Sequence, residues 1–119
     1  MSPISPLPSE VVRVVSLALD AASLRQQATA ANIANAGDPA YQRRGVSFEA
    51  RLRELTAGSE LSAASSASLQ PRLVDDIGTA ALDQDVAAMA GNTLHFQALL
   101  KALNAELELM GLAANDGRR

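Results

Sequence analysis

The sequence predicts an all-α fold: two long helices forming an antiparallel coiled-coil hairpin, with an extended or disordered middle segment and one short helix. Three observations lead there. Val86, Met89, Thr93, Phe96, Leu100, Leu103, Leu107 and Met110 alternate spacings of three and four without a slip, which is a heptad seam. Val14, Leu17, Ala21, Leu24, Ala28, Ala31 and Asn35 do the same nearer the N-terminus. The third observation is bulk. Of the 119 residues only Tyr41, Phe48 and Phe96 are aromatic, so alanine and leucine must fill the core, which suits thin helix-on-helix packing.

The chain reads as a single unit over residues 1–119. Residues 1–8 carry three prolines and are expected to be extended. Ser9 is placed to cap the first helix, with Glu10 in its first turn where a negative charge suits the helix dipole. That helix is expected over 9–36, about 42 Å long. Gly37 is positioned to close it in a left-handed conformation, and Pro39 cannot continue it. The linking region, 37–82, should hold a turn, a short helix over residues 48–55 with Phe48, Leu52 and Leu55 on one side, and a flexible loop. Residues 56–80, rich in Ser, Ala and Gly, read as that loop, with brief extended contacts from Leu69 to Ile77. The second long helix is expected over 83–114, led by Asp83 and Asp85. Gly111 should loosen its end, and residues 115–119 should fray.

Small residues on the first seam meet large ones on the second if Ala21 faces Leu103, Ala28 faces Phe96 and Leu24 meets Leu100. Each helix also carries a second apolar stripe that one partner cannot cover. On the first it is Val12, Val15, Leu19, Ala22, Ala30 and Ile33; on the second it includes Ala90, Leu94, Leu109 and Leu112. Such surface is expected to meet other subunits. The competing expectation is that the middle segment folds over it.

Several function classes are disfavoured. A net charge of −3 and the lack of a basic stripe argue against nucleic acid, the Arg43, Arg44, Arg51 and Arg53 cluster reading as a solvated face broken by Glu49 and Glu54. There is no cysteine, hence no disulfide or thiol chemistry. His95 is the only histidine and has no cysteine or carboxylate one helical turn away, so no metal site or base–nucleophile pair is expected around it. Asp75-Asp76 and Asp83/Asp85 read as exposed loop and helix-start carboxylates. No cofactor is expected, and no enzyme. The N-terminus lacks the basic start and apolar core of a cleaved signal peptide, and no stretch reads as a membrane span.

The residues around the first helix end resemble a known family. Arg25-Gln26, Ala31-Asn32-Ile33-Ala34-Asn35-Ala36, Asp38-Pro39-Ala40-Tyr41-Gln42-Arg43 and Phe48-Glu49-Ala50-Arg51-Leu52 look like the signature of bacterial flagellar rod proteins, the proximal (FlgB) type above all. Leu82-Asp83-Gln84-Asp85, Met89-Ala90-Gly91-Asn92 and Leu94-His95-Phe96-Gln97-Ala98-Leu99 resemble that family's C-terminal pattern. The likeness spans about residues 14–55 and 82–112. The family usually has Thr-Pro-Gly-Tyr where this chain has Asp38-Pro39-Ala40-Tyr41, and Phe96 stands where a Tyr is common.

The resemblance implies a structural subunit exported by the flagellar type III apparatus without a cleaved signal and located in the periplasm-spanning rod of the basal body. Its implied partners are other rod subunits, like and unlike, the base of the rod at the membrane ring, and the export apparatus, with no membrane insertion. The residues expected at assembly interfaces are Leu17, Leu24, Ala28, Ala31, Asn32, Asn35, Tyr41, Met89, Phe96, Leu100, Leu103 and Leu107. The alternative is a cytosolic helical-hairpin adaptor or export chaperone holding a secreted partner.

Overall fold

The computed structural model describes residues 8–57 and 69–117. In chain order its elements are α1 (Pro8–Ala34), β1 (Arg44–Ser47), α2 (Glu49–Ala57), β2 (Arg72–Asp75) and α3 (Leu82–Asp116). The fold is mostly helical, but it is not all-α, because β1 and β2 form an antiparallel pair with Arg44 opposite Asp75 and Val46 opposite Leu73. β2 falls within Leu69 to Ile77, where brief extended contacts were expected, and it pairs there with β1. Residues 58–68 lie outside the described residues.

α1 begins one residue before the expected Ser9 cap. Pro8 suits a first helical position, where its missing N–H would have had no partner. The helix ends at Ala34, and Gly37 does not take the left-handed conformation expected of it. The chain leaves instead by tight steps: Ala36 N–H donates to Ile33 O and Asp38 N–H to Asn35 O. Asp38 then closes a four-residue turn by accepting the Tyr41 N–H at 3.1 Å, with Pro39 and Ala40 at its centre. The Asp38 carboxylate also accepts the Ala40 N–H at 2.9 Å, so this turn forms with Ala40 where the resembled family has glycine.

The core is not where the two seams would put it. Leu17 and Ala21 of α1 pack with Phe48, Leu55 and Leu69, flanked by Val14, Ala18, Val46 and Leu52. The N-terminal part of the α1 seam, Val14 to Ala21, thus packs on the middle segment. Leu69, in the stretch expected to be loop, is fully buried. The short helix falls at 49–57 with Phe48 just before it, whose carbonyl accepts the Leu52 N–H at 3.0 Å.

α3 runs two residues further than expected and passes through Gly111 without a break, so neither Gly111 nor Asn115 ends it early. Ala81 donates its N–H to the Gln84 side chain at the start, and Gly117 N–H bonds Ala113 O at the end. α3 packs on α1 in the opposite direction: Asp85 pairs with Arg43, beside the end of α1, while Asn92 further along reaches back to Ala22 and Gln26. The expected alignment would have set residues 98–102 against 22–26. The two helices are therefore offset by about two turns from it. The face of α3 turned to α1 includes Asp85, Met89, Asn92, Leu99 and Leu103, a seam rotated by one residue at alternate positions.

Candidate assembly interface

The end of α1 is tied to the β-hairpin by one side chain. Asn32 is buried, its Nδ2 donating to Arg44 O at 2.8 Å and its Oδ1 accepting the Arg44 N–H at 2.9 Å. An amide offers one donor and one acceptor side by side, so it can pair with a strand residue as another strand would. Tyr41 Oη donates to the same Oδ1 at 3.3 Å, which holds the half-buried Tyr41 against the helix. Asn35 behaves differently. Its Nδ2 reaches only Ala31 O, one turn back in α1.

A charged clip joins the hairpin to the start of α3. Arg43 donates from both terminal nitrogens to the two Asp85 oxygens at 2.9 Å, and the Asp76 carboxylate stands 3.5 Å from one of those nitrogens. Asp85 is buried, so its charge is held by this bidentate contact, and Arg43 holds its carboxyl below the usual carboxylate range. Asp85, with its desolvation against it, raises the Arg43 pKa in turn. Arg43 is therefore not part of a solvated basic face, nor Asp85 an exposed helix-start carboxylate. Arg43 Nε is the only buried side-chain polar atom among the described residues that lacks a partner.

Asn92 locks the helices. Its Nδ2 donates to Ala22 O at 2.7 Å and to Gln26 Oε1 at 2.8 Å, and Gln26 Nε2 donates onward to Thr93 Oγ1. Ala22 is fully buried, and its small side chain allows this approach to the backbone. A polar residue at one seam position specifies register, because any slide leaves it buried without partners. Beside this contact Ala22, Gln26, Phe96 and Leu100 line an open, mainly apolar groove of about 410 Å³.

α3 keeps large apolar side chains exposed on more than one side. Leu94, 67% exposed, and Leu112 lie on the side opposite Asn92, Leu100, 42% exposed, lines the groove against α1, and Leu107 and Leu109 stand near the C-terminal end. The second stripe of α1 fares better: Ala22 is buried and Val12, Val15, Leu19 and Ile33 are half-buried. The expected interface residues thus divide. Leu17, Ala28 and Asn32 are buried within the subunit; Leu24, Ala31, Asn35, Tyr41, Met89 and Leu103 are half-buried; Phe96, Leu100 and Leu107 are exposed.

Sequence reasoning missed Arg43, Asp85, Asn92 and Leu69 as organising residues. For Asn92 a signal existed, since Asp85, Asn92, Leu99 and Glu106 form a second heptad row that interleaves with Met89, Phe96 and Leu103. Among the described residues no group of three or more His, Asp or Glu side chains is arranged to hold a metal, and no helix is long and apolar enough to cross a membrane. Compared with known protein families and with curated proteins, the chain matches none.

Proposed function

We propose that this chain is a structural, non-enzymatic subunit of the flagellar basal-body rod, exported by the type III apparatus and built into a helical tube between the membrane ring and the more distal rod. In the tube its long helices would complete coiled-coil packing with those of neighbouring rod subunits. The observation that carries this reading is the apolar surface that α3 keeps exposed at Leu94, Leu100, Leu107, Leu109 and Leu112, although the helix already packs on α1. A monomer has no use for that surface, and a tube of packed helices does. The signature residues support the same reading: Asn32, Tyr41 and Arg43, which belong to the block resembling rod proteins, fix how the chain leaves α1.

The test compares two strains. Leu100→Asp puts a charge on exposed apolar surface at the groove beside Asn92, where burial between subunits would leave it unpaired. Motility and the amount of subunit in purified basal bodies should be lost, while the variant subunit is still secreted. His95→Ala, on the exposed flank, should leave both unchanged. Normal motility in the Leu100→Asp strain would refute the reading.

A further inference from the structure

β2 is an open edge. All four of its residues are exposed, and among the described residues the sheet has no third strand. Hydrogen-bond parity says what that edge offers. Asp76 donates its N–H to Arg43 O at 2.9 Å, whereas Arg44 turns both its N–H and its C=O to Asn32, away from β2. Arg43–Asp76 and Gly45–Val74 are therefore the hydrogen-bonded pairs, and Arg44–Asp75 and Val46–Leu73 are not. It follows that Leu73 and Asp75 direct their N–H and C=O groups outward, to the unoccupied side.

We infer that β2 pairs antiparallel with β2 of a second copy of this chain, about a two-fold axis at Val74, making one four-stranded sheet. The register follows from elimination. Outward residues must meet outward residues, so Leu73 stands opposite the partner's Leu73, the partner's Asp75, or is displaced so that the two Asp75 residues meet. The first leaves Leu73 opposite Leu73 as the one fully exchanged pair, because it sets Asp75 opposite the partner's Pro71, which has no N–H to give. The last opposes two like carboxylates. The remaining register lets Leu73 and Asp75 exchange hydrogen bonds in both directions on each side of the axis. It also sets Arg72 opposite the partner's Asp76 on the Val74 face, an opposite-charge pair formed twice. On the other face Ile77, 95% exposed, comes opposite the partner's Pro71. The charges that would deter an unrelated strand are complementary in this one arrangement. A two-fold pair has no polarity, whereas a tube of like-oriented subunits has one, so the pair belongs to the unassembled subunit. The inference rests on strand geometry and stands or falls apart from the rod reading.

The chain contains no cysteine, so a single introduced thiol reports on its own neighbour. At the axis the two Val74 positions form a non-hydrogen-bonded pair with Cα atoms about 4.5 Å apart, within disulfide range. Under mild oxidation Val74→Cys should yield a covalent dimer, and Leu73→Cys, offset opposite the partner's Asp75, should cross-link at least about tenfold more slowly. In sedimentation equilibrium the unmodified chain should move from monomer to dimer with concentration. Leu73→Pro removes an outward N–H without touching the bonds to β1, and should abolish the dimer with helix content unchanged. Equal cross-linking of the two thiols, cross-linking of neither, or an unmodified chain that stays monomeric at all concentrations would overturn the inference.

Discussion

Asn32 is a single amide that stands in for a strand. Its two hydrogen bonds to Arg44 and the one it receives from Tyr41 join the end of α1, the turn and the hairpin. Removing it leaves the Arg44 N–H and C=O with no replacement, so Asn32→Ala should cost about 1–3 kcal/mol, read as a lowered melting temperature. Asn35→Ala removes one local bond to a carbonyl that already accepts the Asn35 N–H, and should cost less than about 1 kcal/mol. Equal losses in the two variants would show that Asn32 is not the tie. Asp85 gives a pH dependence. Because Arg43 depresses its folded pKa, the unfolded chain binds the proton more readily, so the stabilisation is present in full above about pH 4 and is lost as the pH falls further. Acid titration should show that loss, and Asp85→Asn should lower neutral-pH stability by about 1–3 kcal/mol while flattening the acid limb. An unchanged acid limb in that variant would assign the acid sensitivity elsewhere. Nothing in the linear sequence pairs residue 43 with residue 85. Asp85 sits beside Asp83 in a first helical turn, where capping accounts for both, and only the folded hairpin brings an arginine to one of them.

At the scale of elements, the two long helices were legible and their mutual register was not. The heptad pattern of α3 admits two rows that share Met89, Phe96 and Leu103. One is completed by Val86, Thr93, Leu100 and Leu107, the other by Asp85, Asn92, Leu99 and Glu106. Counting apolar residues selects the first. The structure turns the second toward α1, because Asn92 finds partners at Ala22 and Gln26 and Asp85 finds Arg43. The more apolar row is thereby left outside. Extended contacts were legible at Leu69 to Ile77, but the pairing of two strands was not: four residues each, rich in Arg, Gly, Ser and Asp, they are at the lower limit of what alternation can signal. Gly91, one residue before Asn92, has open space where a Cβ would stand. It therefore serves no close approach within the subunit, and Gly91→Ala should stabilise α3 by about 0.5–1 kcal/mol through helix propensity, measured by chemical denaturation of the isolated chain. A destabilised Gly91→Ala chain would mean that α3 needs the glycine in its own fold.

The whole molecule is elongated, measuring 63 × 27 × 21 Å along its principal axes. α3, about 52 Å long, sets that length. The middle segment covers part of the α1 seam through Phe48, Leu55 and Leu69, not the second stripe that the competing expectation assigned to it, and it leaves leucines of α3 bare. A subunit whose longest helix keeps that much apolar surface uncovered fits an assembly of packed helices, and that is the claim on which the account rests. Its most direct test is electron cryo-microscopy of basal bodies from a strain in which this gene is deleted. The account predicts membrane rings without a rod above them, with rods restored by the intact gene. Complete rods in the deletion strain would contradict it.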